Sequence, residues 1–165
     1  MNRIVSEFRY ATREDIPLIL RFIKELAAYE HMESEVVATN ELLDSWLFDK
    51  KIAEVLFPMV HDEEAGFALF FHNYSTFLGK GGIYLEDLFV RPEYRGKGIG
   101  GAVLKKLAAI AVQRQCGRLE WSCLDWNAPS IRFYRSLGAV PMKDWTVYRL
   151  TGSALEKLGS ANETN

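Results

Sequence analysis

The sequence predicts a mixed α/β fold: a mostly antiparallel central sheet with helices on both faces and a βαβ crossover. Three observations carry that expectation. Strand-like and helix-like segments follow one another in the order β, α, α, β, β, β, α, β, α, β. The three central strands are separated only by short turns, which makes an antiparallel meander. The strand, helix and strand that come next need a crossover connection. A chain of 165 residues has the size of one domain, expected at residues 1–158 and followed by a flexible polar tail at 159–165.

Phe8 to Ala11 is a short strand candidate. Thr12 then offers a helix N-cap, with Glu14 and Asp15 placed to complement the first-turn dipole. Ile16, Ile19, Leu20, Ile23, Leu26 and Ala27 repeat at helical spacing and carry that helix to about Tyr29. Asn40 to Phe48 reads as a second helix. The meander strands are Ala53 to Val60, Gly66 to Tyr74 and Gly82 to Val90, with a hairpin turn at Asp62 to Gly66 and a loop at Gly79 to Gly82. Arg91-Pro92 ends the third strand, because proline has no N–H for a ladder. Gly98 to Gln115 is a helix with Val103, Leu104, Leu107, Ile110 and Ala111 on one face. Leu119 to Leu124 is a strand, and Pro129 to Leu137 is a helix with proline in its first turn and Gly138 at its end. Trp145 to Leu150 reads as the last strand.

Composition excludes several classes. Lys plus Arg is 20 and Asp plus Glu is 22, a formal charge of −2, which gives no whole-chain case for nucleic acid. Cys116 and Cys123 can build neither a secreted-type disulfide scaffold nor a paired Cys-x-x-C zinc site, and no metal is expected. The most apolar stretch, Ala65 to Gly79, is interrupted by His72, Asn73, Ser75 and Thr76 and is too short and too polar to span a bilayer. The first residues include Arg3, Glu7, Arg9 and Arg13 and hold no apolar signal core. A cytoplasmic protein without a membrane partner is expected.

The segment Val90-Arg91-Pro92-Glu93-Tyr94-Arg95-Gly96-Lys97-Gly98-Ile99-Gly100-Gly101 joins a strand to a helix and carries the chemistry. Glycines at 96, 98, 100 and 101 leave backbone N–H groups unshielded at a helix N-terminus, which makes an anion cradle. From Arg91 to Lys106, five basic residues (Arg91, Arg95, Lys97, Lys105, Lys106) against the single acid Glu93 give a net of +4. A Walker A loop would follow Gly-Lys with Ser or Thr, whereas Gly98 follows Lys97. A dinucleotide fingerprint would sit on the first strand with different glycine spacing.

What remains is Arg95-Gly96-Lys97-Gly98-Ile99-Gly100, which resembles the cofactor loop Arg/Gln-x-x-Gly-x-Gly/Ala of the GNAT N-acetyltransferase superfamily. Asn127-Ala128-Pro129-Ser130-Ile131-Arg132-Phe133-Tyr134 is similar to that superfamily's second cofactor motif, Asn-x-x-Ala/Ser-x-x-Phe-Tyr. Ile23 to Glu33, Tyr84 to Val90 and Trp126 to Tyr134 further resemble the diamine (spermidine/spermine-type) and thialysine acetyltransferase branch. The resemblance implies a GNAT-type sheet, acetyl-coenzyme A as donor and a homodimer. It implies cofactor contacts at Leu88, Phe89, Val90, Arg95, Gly96, Lys97, Gly98, Ile99, Gly100, Gly101, Asn127, Ser130 and Tyr134. The substrate would be a small cationic amine: a diamine, a polyamine or a thialysine-like amino acid.

Acetyl transfer to an amine needs a free amine, a polarised thioester carbonyl and a proton for the departing thiolate. Tyr134 matches the superfamily's general-acid tyrosine. Glu86 matches a glutamate of the branch's amine site and is the candidate for amine binding and water-mediated proton removal. Glu86 and Asp87 are consecutive in a strand, so strict alternation puts their side chains on opposite faces. Tyr29 and Glu30 close the first helix with negative charge and, with Glu86 and Asp87, form the expected amine-binding set. The chain departs from the branch at Lys143-Asp144-Trp145, where a longer acidic loop is expected. That departure weakens the case for long polyamines and leaves room for an amino acid. A protein or peptide acetyltransferase and a non-catalytic acyl-CoA-binding module are the alternatives on the same fold.

Overall fold

The computed structural model describes residues 4–160. The chain divides after Ser122 into two compact units. The first holds β1 (Glu7–Tyr10), α1 (Ile16–Glu30), α2 (Asn40–Leu43), β2 (Glu54–Val60), β3 (Glu63–Glu64), β4 (Gly66–Ser75), β5 (Lys80–Val90), α3 (Ile99–Gln113) and β6 (Leu119–Trp121). The strands form one sheet in the order β1-β2-β4-β5-β6, with β3 paired to β2 beside the hairpin turn. All pairings are antiparallel except β5 with β6, which α3 connects as the crossover. The expected mixed sheet is therefore present.

Register shows which helix covers which face. Val55, Phe57 and Met59 of β2 share a face with Phe67 and Phe89, and the buried α1 residues Ile19 and Phe22 pack on them. The Phe22 ring lies 5.8 Å from the Phe67 ring and 6.0 Å from the Phe89 ring. Side chains of the opposite parity meet α3: the Arg114 guanidinium at its end lies over Phe70 and pairs with Glu54, and Lys106 lies over Phe8. Val103, Leu104, Leu107, Ile110 and Ala111 form the buried stripe of α3, as their spacing predicts.

Local departures have local causes. Thr12 caps a 3-10 turn, Arg13–Asp15, before α1 begins, and Asp15 accepts from the Thr12 backbone N–H. Arg9 donates to Asp15 and Glu64, which holds the Asp15 carboxyl below its usual range. The expected second helix widens into a π-helical stretch at Asp44–Asp49, and Arg13 pairs with both its ends, Asp44 and Asp49. Gly66 is needed for close approach: a Cβ there would collide with the Phe89 carbonyl oxygen.

The second unit holds α4 (Ala128–Ser136) and α5 (Gly152–Ser160). Gly138, at φ +87°, ends α4 in the left-handed region. The expected strand at Trp145 to Leu150 is not formed. Val147 is 82% and Tyr148 91% exposed, and among the described residues no strand pairs with the segment. β-favourable residues make a strand only where a ladder partner exists. The helix at Gly152–Ser160 was not expected. Among the described residues no helix is long and apolar enough to cross a membrane.

Candidate active site

The glycine turn leaves β5 through a 3-10 turn at Pro92–Tyr94. Gly96 and Gly98 take φ of +71° and +81°, a region that disfavours a side chain. Gly98 is the N-cap of α3 and no side chain caps that end, so its first N–H groups stay unshielded. A Cβ added at Gly96, Gly98 or Gly100 would meet nothing within 4 Å, so the space above the turn is open. Open N–H groups at the start of a fifteen-residue helix fit a phosphate group.

The basic side chains of the turn have partners of their own. Arg91 pairs with Glu93 at 2.7 Å and reaches Glu63 at 4.0 Å. Tyr94 donates its hydroxyl to Glu63 at 2.8 Å. Arg95 turns back: its Nε donates to the Val90 carbonyl at 2.8 Å, and its guanidinium lies 4.6 Å from the Tyr29 ring centroid. Lys97, over the Tyr94 ring at 5.5 Å, stays beside the cradle.

Beside this turn the edge of β5 is unpaired among the described residues. It pairs with β4 along its length, but with β6 only from Ile83 to Leu85. Backbone direction follows from register. The Arg91 N–H donates to the Ala65 carbonyl, so Phe89 and Asp87 are the next residues bonded to β4. Leu88 and Val90 therefore turn their backbone groups to the open side, where Arg95 takes the Val90 carbonyl. Phe89 is a correction to the sequence expectation: its backbone belongs to β4 and its ring to the core beneath α1.

A second correction concerns the carboxylates. Leu69 pairs with Asp87 but Phe70 pairs with Leu85, so Glu86 is the extra residue of a β-bulge. Tyr84, Asp87 and Phe89 oppose Phe71, Leu69 and Phe67 and so share the α1 face. The bulge thus places Glu86 and Asp87 on the same face, not on opposite ones. Asp87 is pushed up to about 6 by burial first, then by the charges of Glu86 and Glu30. Glu30, in the last turn of α1, is also raised by burial. Among the described residues no ion pair neutralises these three carboxyl groups, which suits a cationic ligand. Tyr29, next to Glu30, is 41% exposed. Glu120 serves structure instead, accepting from Asn73 at 2.8 Å and pairing with Arg118.

In the second unit, Asn127 caps α4 by accepting from the Ser130 N–H at 3.3 Å, so the Asn-x-x-Ser spacing is that of a helix N-cap. Tyr134 is half-buried one helical turn further on, its ring 5.5 Å from that of Phe133.

Comparison with known proteins agrees with this architecture. Residues 20–139 match the Acetyltransferase (GNAT) family. The chain is 34% identical to the L-ornithine N5-acetyltransferase of Arabidopsis thaliana, over 98% of this chain and 91% of that protein. It is 36% identical to the thialysine N-epsilon-acetyltransferase of Bos taurus, over 91% of this chain and 95% of that one. Among solved structures, an integron cassette protein from the mobile metagenome of V. cholerae superposes with a TM-score of 0.79 at 29% identity, covering 94% of this chain and 98% of that one. The chain belongs to the GNAT family and is an N-acetyltransferase of that family.

Two predictions follow from the site geometry. A carboxyl group raised to about 6 binds its proton more tightly folded than unfolded, so stability falls as pH rises from about 4 through 6. Asp87→Asn should therefore be more stable than wild type at neutral pH, by at most about 3 kcal/mol and with a higher Tm, the gap closing toward pH 4. Equal melting at neutral pH would contradict the buried-charge assignment. Gly100→Val tests the cradle without backbone strain, since Gly100 lies in α3 and has open space above it. Calorimetric titration of the folded variant should show coenzyme A bound about tenfold or more weakly, the scale of a lost charged hydrogen bond. Wild-type affinity would remove the cradle.

Proposed function

We propose that this chain transfers the acetyl group of acetyl-coenzyme A to the primary amine of a small cationic substrate. The observation that carries the reading is the convergence of Glu30, Glu86 and Asp87 on one face, next to the open edge of β5 and the glycine turn. The amine of an amino acid side chain is the favoured class. Both substrate-named relatives above act on such amines, and Lys143 stands where a longer acidic loop would favour a polyamine.

Acetyl-coenzyme A, when bound, supplies the activated thioester. Gly96, Lys97, Gly98, Ile99, Gly100 and Gly101 would hold its phosphates, and the open groups of Leu88 and Val90 its amide-bearing arm. Asn127 and Ser130 take cofactor contacts by their match to the second motif. Glu30 and Asp87 hold the ammonium form of the amine. Glu86, the exposed member, takes the ammonium proton through water, which frees the nitrogen lone pair for attack. The Tyr134 phenol gives its proton to the departing sulfur. One acetyltransferase domain over residues 1–158, assembled as a homodimer in the cytoplasm, belongs to the same reading.

Thiol release from acetyl-coenzyme A, followed across L-ornithine, thialysine, diamines, spermidine and lysine peptides, tests the class. Turnover with a free amine and none with peptides is the expected result. Turnover with peptides alone, or with no amine at all, would overturn it. Tyr134→Phe should then lower kcat about tenfold or more with coenzyme A still bound, and Glu86→Gln should lower kcat/KM about ten- to a hundredfold. Values within about twofold of wild type would strip those residues of their roles, since surface substitutions are usually silent.

A further inference from the structure

Arg95 is the arginine of the glycine-turn motif, yet its side chain does not point into the cradle. Nε donates to the Val90 carbonyl, and the guanidinium lies over the rings of Tyr29, at 4.6 Å, and Phe89, at 5.5 Å. Its backbone closes the 3-10 turn that ends at Tyr94 and leads into Gly96, the first left-handed residue of the cradle. Tyr29 lies in the last turn of α1, one residue before Glu30. That turn carries no basic residue of its own, while Glu30 adds negative charge to the negative end of the helix dipole. Arg95 brings a cation to this helix end from another element.

We infer that Arg95 is a positioning residue for the amine, tying the Tyr29–Glu30 end of α1 to the glycine turn so that an occupied cradle orders the amine site. The inference rests on the amine reading of Glu30, Glu86 and Asp87. Its physical basis is a chain of contacts. A phosphate held on Gly96 to Gly100 fixes the turn and so the Arg95 backbone. The guanidinium, anchored at Val90, then fixes the Tyr29 ring by a cation–π contact. Linkage makes the effect reciprocal, so a bound amine should also favour the cofactor.

The test uses the full chain. Amide hydrogen exchange is measured at residues Ala27 to Met32, with and without saturating coenzyme A, in wild type and in Arg95→Gln. Coenzyme A should slow exchange there in wild type and leave the variant unchanged. No slowing in wild type, or equal slowing in both, would overturn the inference whatever the substrate proves to be. Steady-state kinetics at saturating acetyl-coenzyme A give the second readout. With the best amine, Arg95→Gln should raise KM about two- to fivefold at nearly constant kcat, the scale of an exposed cation–π contact. Tyr29→Leu should do the same, and the double variant Arg95→Gln, Tyr29→Leu should be no worse than either single one. An unchanged KM, or additive effects, would overturn it. Failure of the amine reading looks different: no amine accepts acetyl from the wild-type chain, while the exchange experiment still reads the coupling.

Discussion

β5 has neighbours of unequal reach, and the site is built on that inequality. β4 accompanies β5 from Lys80 to Val90, while β6 leaves it after Leu85. The register slips where β6 leaves, because Glu86 is inserted against β4. A bulge bends its strand and re-aims side chains, and here it does both at one point. The backbone groups of Leu88 and Val90 are left to the open side, and two carboxylates are turned toward α1. Donor edge and acceptor charge are thus adjacent consequences of one extra residue.

The arrangement has a cost that the rest of the first unit sustains. Burial raises both Asp87 and Glu30, and the charges of Glu86 and Glu30 raise Asp87 further, so these carboxyl groups work against folding near neutral pH. The apolar cluster of Ile19, Phe22, Phe57, Phe67 and Phe89 lies on the same face and fixes α1 beneath it. An arriving ammonium would relieve the repulsion, so the strain favours cation binding. The glycine turn works in the opposite sense. Its bases are largely committed to Glu93, Val90 and Tyr29, and the uncommitted donors are backbone N–H groups at the start of α3.

The order of elements as far as α4, the meander, the crossover and the core faces of α1 and α3 were legible because period and punctuation are local signals. The glycine turn was legible for the same reason: positive φ at Gly96 and Gly98 needs that residue type. The orientation of Glu86 and Asp87 was not, since alternation assumes an unbroken ladder and a bulge is set by the partner strand. Phe89 was misread likewise, because an amide's direction depends on register rather than residue type. Counting bases does not show where they bond: Arg91 pairs with Glu93, and Arg95 donates to the Val90 carbonyl. Trp145 to Leu150 has strand composition, but composition cannot supply a partner. The acid role of Tyr134 still rests on its motif.

Residue-resolved amide exchange of β5, with and without coenzyme A, probes the open edge most directly. Phe89, bonded to β4, should be protected from the start and change little. Leu88 and Val90 should exchange readily in the free protein and slow about tenfold or more when coenzyme A saturates, the effect of one added hydrogen bond. Leu88 and Val90 amides that stay fast with the cofactor bound would contradict the account, because the donor would then lie somewhere other than the edge that the Glu86 bulge leaves open.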